Sequence, residues 1–367
     1  MATLSEKLRD FDPTLPLERA RTIPSAWYFD EDIHDLERRQ VFGRSWLAAG
    51  RAEQVAAPGS FFTIEMAGEP VLVCRDEEGT LRAFHNVCRH RAAQVINEPQ
   101  GTARTFRCRY HGWTYDLSGR LRGTPEFAGV EDFCREDNGL VPMAVDVCGP
   151  LVFVHAGAPP QPLPEFLAPF PDKVAPVGLE RLQCVARRDY ELGCNWKVFV
   201  DNYLDGGYHV NTVHPGLAGA IDYSRYHTDV FARCSVQVSP LKPADDPTVG
   251  KVRTGDTAYY WWIYPNLMIN LYQGVMDTNL VLPLGPDRCK ILFDFYFADV
   301  DGVDAQKYIA DSIAVADQVQ IEDMGVCEEV QRGLKSRSYS TGRFSVKREA
   351  GGYHFHQLLG RALQADA

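Results

Sequence analysis

Two short segments carry the first candidate chemistry: Cys88-Arg89-His90 and, seventeen residues further on, Cys108-Arg109-Tyr110-His111. Thiolates are soft ligands that suit zinc or iron–sulfur clusters, and imidazoles suit zinc or iron. Each spacing is short enough for one tight loop to present both of its ligands. A Cys2His2 set is also compatible with a structural zinc site, but zinc fingers usually pair Cys with Cys and His with His. Here each segment offers one of each. That mixture fits a [2Fe–2S] cluster in which one iron takes two thiolates and the other two imidazoles.

A second constellation lies in the other half of the chain. Within Asn195–Pro215, Asp205 and His209 are four apart and share a face if the segment is helical. His214 is five beyond His209, which a regular helix does not align, and Pro215 is expected to end it. Two imidazoles facing one cavity need a carboxylate to complete the facial triad of a non-haem iron(II) oxygenase. The opposite face of such a triad stays open for O2 beside the substrate. The segment Val303–Leu334 reads as one long helix with an apolar stripe at Ile309, Ile313, Ala316, Val319, Val326 and Val330, and Asp323 falls within it. A bare carboxylate on a buried face is costly unless it is paired or binds a metal. Asp317 and Glu322 fall off the stripe, where water is expected to reach them. Taken singly, Asp323 also fits a buried ion pair, and the two histidines also fit packing or capping roles.

These residues need elements to position them. From Trp46 to Val154, short apolar runs such as Phe61–Ile64, Val71–Val73 and Leu151–Val154 alternate with turn signals such as Pro58-Gly59. That pattern predicts a small all-β domain. A proline-rich stretch, 158–176, follows and marks a boundary. Beyond it, Asn195–His214 has helical character, and Tyr259–Leu271 and Lys290–Phe297 read as strands. The expected class is therefore α+β. The expected domains are an N-terminal segment 1–44 packing on the catalytic domain, a cluster domain 45–157 and a catalytic domain 158–367.

Composition bounds the reading. A chain of 367 residues is long enough for two domains. The formal net charge of −11 argues against a basic nucleic-acid-binding face. The opening residues show no apolar signal-peptide core, and the longest apolar runs, such as Tyr259–Tyr264, fall far short of the ~20 residues of a membrane span. A cytoplasmic protein without a membrane partner is the expectation. The ten cysteines follow no disulfide framework and read as reduced thiols.

The run Cys108-Arg109-Tyr110-His111-Gly112-Trp113-Thr114-Tyr115-Asp116 matches the Rieske pattern. The chain resembles Rieske non-haem iron oxygenase α subunits over nearly its whole length. The stretches Asp201–Val210, Met276–Pro286 and Val330–Leu334 are closest to the choline monooxygenase-like members. Respiratory Rieske proteins have an extra Cys in each loop, where this chain has Arg91-Ala92-Ala93 and Gly112-Trp113. The likeness is therefore to the oxygenase type. It implies a Rieske β domain and a helix-grip domain, an antiparallel sheet curled around a long helix. It assigns Cys88, His90, Cys108 and His111 to the [2Fe–2S] cluster, and His209, His214 and Asp323 to Fe(II). It makes Asp205 the link between the two centres. It also implies a head-to-tail homotrimer in which the cluster of one subunit serves the iron of the next.

The implied reaction is O2-dependent hydroxylation of a small quaternary ammonium compound. The chain has no Gly-x-Gly-x-x-Gly motif, so a separate ferredoxin or flavin reductase is expected to supply the electrons. The hexapeptide Tyr259–Tyr264 places Tyr260, Trp262 and Tyr264 on one face of a strand, where their rings could cage a cation at ~0.5–2 kcal/mol each. The same rings could equally fill the core. Departures from the choline monooxygenase-like members at Asn211-Thr212-Val213 and across Tyr223–Asp256 leave an aromatic or alicyclic substrate as the alternative. Two other classes stay open: an electron-transfer protein, which would not need His209, His214 and Asp323, and a ligand-binding module, which would not need the cysteines.

Overall fold

The computed structural model describes residues 3–242, 252 and 254–365. The chain divides into two compact units, one formed by Phe42–Phe166 and the other by Met1–Val41 together with Leu167–Ala367. The division falls inside the proline-rich stretch. The first part of that stretch stays with the β unit, where the Trp46 indole donates to the Gln161 carbonyl at 3.0 Å.

The Phe42–Phe166 unit is built on ten strands: β1 (Leu47–Arg51), β2 (Ser60–Met66), β3 (Glu69–Arg75), β4 (Leu81–His85), β5 (Gln100–Thr102), β6 (Thr105–Arg107), β7 (Thr114–Asp116), β8 (Leu121–Gly123), β9 (Pro142–Cys148) and β10 (Leu151–His155). Seven form an antiparallel sheet in the order β1-β10-β9-β4-β3-β2-β5, and β6-β7-β8 form a second, small one. Phe61, Leu72, Phe84, Phe106, Trp113 and Tyr115 make the core between them, and Cys88 and Cys108 are buried in the same cluster. The loops that carry the Cys/His pairs leave β4 and join β6 to β7.

The second unit centres on β11 (Gln183–Leu192), β12 (His227–Val230), β13 (Cys234–Pro240), β14 (Thr257–Ile263), β15 (Leu267–Tyr272), β16 (Val275–Gly285) and β17 (Arg288–Phe297). They form an antiparallel sheet in the order β11-β17-β16-β15-β14-β13-β12. The expected single strand over Tyr259–Leu271 is the hairpin β14–β15, because Pro265 and its neighbours turn the chain. The long helix spans Gly302–Leu334, and its residues Ile309, Ile313 and Ala316 pack on Phe293, Phe295 and Phe297 of β17. This is the α+β helix-grip architecture. The apolar stripe does not run the helix's full length: Val330 is exposed, whereas Gln320 and Gln331 are buried. Gln331 Oε1 accepts from the Asn195 N–H at 2.9 Å, so polar contacts replace apolar ones toward the C-terminal end.

The N-terminal residues are part of this unit. Glu37, on the helix Glu31–Gln40, is fully buried and accepts from Lys197 Nζ at 2.6 Å and from the Trp196 indole at 2.8 Å. Burial pushes the Glu37 pKa up and the Lys197 pKa down, and each partner's charge opposes the shift. The pair pins the helix Trp196–Tyr203, which leads straight into the candidate site. Among the described residues, no helix is long and apolar enough to cross a membrane.

Candidate active site

His209, His214 and Asp323 converge, with one ligand atom from each lying within 4.8 Å of the others. His209 Nε2 is 3.1 Å from His214 Nε2, His214 Nε2 is 3.0 Å from Asp323 Oδ1, and His209 Nε2 is 3.6 Å from the same oxygen. Metal bonds of about 2.0–2.2 Å meeting at right angles separate their donors by about 2.8–3.1 Å. Two of the three separations match one face of an octahedral iron, and the third, His209 Nε2 to Asp323 Oδ1 at 3.6 Å, is about half an ångström longer.

The backbone that brings them together differs from the expected helix. The helix ends at Tyr203, before Asp205 rather than at Pro215. Gly206 and Gly207 then take left-handed conformations, with φ of 72° and 70°. A Cβ on Gly206 would lie 2.0 Å from the Arg348 carbonyl oxygen, so only glycine fits there. Asp205 and His209 thus meet across a turn, not along a helical face. The Asp205 carboxylate accepts from the backbone N–H groups of Tyr208 and His209 at 3.1 and 2.9 Å, and from His209 Nδ1 at 2.5 Å.

Glu322 corrects the sequence reading. It is not merely solvated, because its Oε2 lies 2.6 Å from His214 Nδ1, and Gln318 Nε2 donates to its Oε1 at 2.9 Å. Asn202 Nδ2 donates to Asp323 Oδ1 at 2.8 Å. Burial lowers the His214 pKa, but the Asp323 and Glu322 carboxylates outweigh it and raise the pKa. The proton so favoured is the one a metal displaces on binding Nε2.

A cavity of about 110 Å³ opens beside the triad. Its wall is a cross-strand row on one face of the sheet, Gln237–Tyr260–Asn270–Asp277, set by the registers of β13 to β16. Tyr203, Tyr226, Tyr272 and Phe293 add aromatic surface, and Asn279 and Gln320 add amides. Of the three aromatic residues singled out on the alternation of β14, only Tyr260 lines this cavity. Trp262 is fully buried against Phe355 of the C-terminal helix, with its indole N–H donated to the Pro265 carbonyl at 3.2 Å. Tyr264 is buried beside it, at a ring separation of 6.0 Å. Both share a sheet face with Tyr260, but that face extends past the end of the cavity. The aromatic lining drawn from Tyr203, Tyr226, Tyr272 and Phe293 comes from separate elements and leaves no local signal in the sequence.

The Cys/His pairs sit on two loops of matching backbone. In one, the Cys88 N–H donates to the Ala93 carbonyl and the Ala92 N–H to the Cys88 carbonyl; in the other, Cys108 pairs with Trp113 and Gly112 in the same way. Ala92 and Gly112, at equivalent positions, both have positive φ. The thiols approach each other in the core, where Cys88 and Cys108 are 3% and 2% exposed. The imidazoles approach each other nearer the surface, with ring centroids 4.5 Å apart, and His90 also stacks on Trp113. The Tyr115 hydroxyl lies 3.4 Å from Cys88 Sγ.

This pairing of like with like suits a binuclear cluster better than zinc. Among the described residues, only His209, His214 and Asp323 bring three or more such donors within 4.8 Å of one another, so the four Cys/His donors do not gather about one point. The buried Nδ1 of His90 has no hydrogen-bond partner, as befits a nitrogen kept for a metal. Burial, and then the neighbouring His111, lower the His90 pKa, which favours the neutral ligand form.

Comparison with known proteins decides the family. Residues 45–134 match the Rieske [2Fe-2S] domain, and residues 179–365 match the catalytic domain of the ring hydroxylating alpha subunit. The chain is 41% identical to the chloroplastic choline monooxygenase of Arabidopsis thaliana, over 98% of this chain and 87% of that one. The chain belongs to the Rieske non-haem iron oxygenase family. It is 28% identical to the carnitine monooxygenase oxygenase subunit of Escherichia coli K12, over 95% of each chain. A quaternary ammonium Rieske monooxygenase solved in complex with L-carnitine superposes with a TM-score of 0.82 at 27% identity, covering 97% of this chain and 98% of that one. Naphthalene 1,2-dioxygenase from Rhodococcus sp. shares the fold, with a TM-score of 0.79 at 21% identity over 100% and 98% of the two chains.

As a Rieske oxygenase the chain carries a [2Fe–2S] cluster and a mononuclear iron, and a separate reductase or ferredoxin supplies its electrons. When bound, the cluster stores an electron and the iron activates O2. The protein's part is legible in its side chains. Asp205 and Glu322 hold the Nδ1 atoms of His209 and His214, which leaves each Nε2 free to act as a ligand. Asn202 orients Asp323.

Proposed function

We propose that the chain is the terminal oxygenase of a monooxygenase that hydroxylates a small quaternary ammonium compound of the choline class. The observation that carries this reading is the cavity: Tyr203, Tyr226 and Tyr260 line a small space that also reaches His209, His214 and Asp323. Aromatic faces attract quaternary ammonium groups at ~0.5–2 kcal/mol per ring. At about 110 Å³ the space is smaller than the roughly 150 Å³ cavity that holds benzene in a known engineered case, which favours a compact ligand over fused rings. The named choline and carnitine monooxygenase relatives support the same substrate class.

In this reading Cys88, His90, Cys108 and His111 hold the cluster, and His209, His214 and Asp323 hold the iron. Asp205 fixes His209 and forms the route for electrons from the cluster of a neighbouring subunit in a head-to-tail homotrimer. Its tight contact with His209 Nδ1 supports that role. The test is O2 uptake coupled to product, using the metal-loaded protein with a surrogate reductase. Choline is expected to give hydroxylated product in step with O2 consumption. If a neutral aromatic or alicyclic compound gives product and no quaternary amine does, the substrate is of that second kind.

A further inference from the structure

Two amides in the cavity wall take no part in the metal sites. Asn279 lies midway along β16, a strand buried from Val275 to Pro283, and the apolar run Leu280-Val281-Leu282 follows it. Gln320 lies on the long helix, where the buried stripe of Ile309, Ile313 and Ala316 continues, three residues before Asp323. Residues three apart share a helical face. Both amides line the cavity that reaches His209, His214 and Asp323, one from the sheet and one from the helix. Each residue is 3% exposed, and among the described residues neither NH2 group has a hydrogen-bond partner.

Folding does not account for this pair. A buried donor without an acceptor lowers stability, and an apolar side chain of similar size would fill either position without that cost. The donors call for an acceptor that the chain itself does not supply. The cationic end of the substrate is not that acceptor. A quaternary ammonium group has no lone pair and no N–H, so it makes no ordinary hydrogen bond and is recognised through ring faces instead. The amides can address only the rest of the ligand, and in a compound of the choline class the acceptor there is an oxygen.

We infer that Asn279 and Gln320 form a subsite for the substrate's oxygen, which their NH2 groups hold by hydrogen bonds. The pair is then a determinant of specificity. An analogue with a methyl group in place of the oxygen fills the same space and leaves both donors unpaired in a site closed to water, so it is rejected although its charge and shape are right. This inference rests on the quaternary ammonium reading and adds what recognises the other end of the molecule.

The test is equilibrium binding of three ligands to the metal-loaded protein without O2. Choline has both the charge and the oxygen. Propyltrimethylammonium keeps the charge and has a methyl group in place of the hydroxyl. The neutral isostere of choline, 3,3-dimethylbutan-1-ol, keeps the hydroxyl and loses the charge. The native protein is expected to bind choline about ten- to a hundredfold more tightly than propyltrimethylammonium. Asn279→Leu and Gln320→Met keep the size of the side chain and remove the donor. Both are expected to fold, because each removes an unpaired buried group, and the cluster spectrum is the control. Each should lower the ratio by about tenfold, weakening choline and the neutral alcohol alike while sparing propyltrimethylammonium. A native ratio near one, or an unchanged ratio in both folded variants, overturns the subsite; a preference for choline over the neutral alcohol would then still support the substrate reading. If one variant does not fold, the other decides on the same ratio, and if neither folds the amides serve the fold and the subsite is overturned. Failure of the native protein to bind either cation removes the substrate reading and this inference together.

Discussion

Glu322 stands one position before Asp323 and serves the other side of the same centre. Its carboxylate holds His214 Nδ1, so removing it frees the ring and withdraws the acceptor that makes Nε2 a better ligand. Glu322→Ala is expected to lower the affinity for mononuclear iron by about 10–100-fold while leaving the cluster in place. Iron titration of the metal-stripped catalytic centre measures this, and an unchanged affinity would show that His214 needs no such support. The sequence pointed to His209, His214 and Asp323 because ligand types and spacing are chemical signals that survive without coordinates. It places Glu322 off the stripe, in water or as the next candidate for the third ligand, and does not foresee its contact with His214, because it takes the apolar stripe as a sharp line. A residue one step around a helix is rotated by about 100°, which is enough to leave the stripe but not the site. Asp205 was found for its distance from His209, although the turn at Gly206 makes the contact instead of a helix.

The strand β14 shows what alternation does and does not reveal. Tyr260 and Trp262 do face the same way, yet one lines the cavity and the other packs against the C-terminal helix. Period-two reasoning assigns a face, whereas the length of a cavity along that face depends on which helices cover the sheet. The two positions should therefore respond differently. Trp262→Leu should cost ~3 kcal/mol or more of stability through the void it leaves, with the preference for choline over its neutral isostere unchanged. Tyr260→Leu should narrow that preference, since it removes a ring from the cation's surroundings. Urea unfolding and ligand binding on both variants separate the cases. A narrowed preference in Trp262→Leu alone would return the cage to the position first expected from sequence. The long helix was readable from Val303 to Leu334 with nearly its observed ends, because its N-terminal half has a clean apolar stripe on β17. Its C-terminal half was less readable, because Gln331 is buried there for a hydrogen bond to Asn195 and Gln320 is buried on the cavity wall, neither of which a hydropathy pattern encodes.

At the scale of the whole chain, the all-β and α+β halves were visible in the change of periodicity on either side of the proline-rich stretch. The α+β fold and the family follow from that change together with the Cys/His spacing. The buried Glu37–Lys197 pair was not visible, since it joins residues far apart in sequence and nothing local marks either as buried. The central claim is that two different metal centres occupy one chain and that the second is held by His209, His214 and Asp323. The most direct measurement is iron and acid-labile sulfide per chain, with product formation from choline, in the native protein and in Asp323→Ala. The native chain should hold about three iron and two sulfide. Asp323→Ala should keep about two iron, two sulfide and the Rieske spectrum, while it loses the third iron and all turnover. An Asp323→Ala protein that retains the third iron and forms product at the native rate would contradict the account.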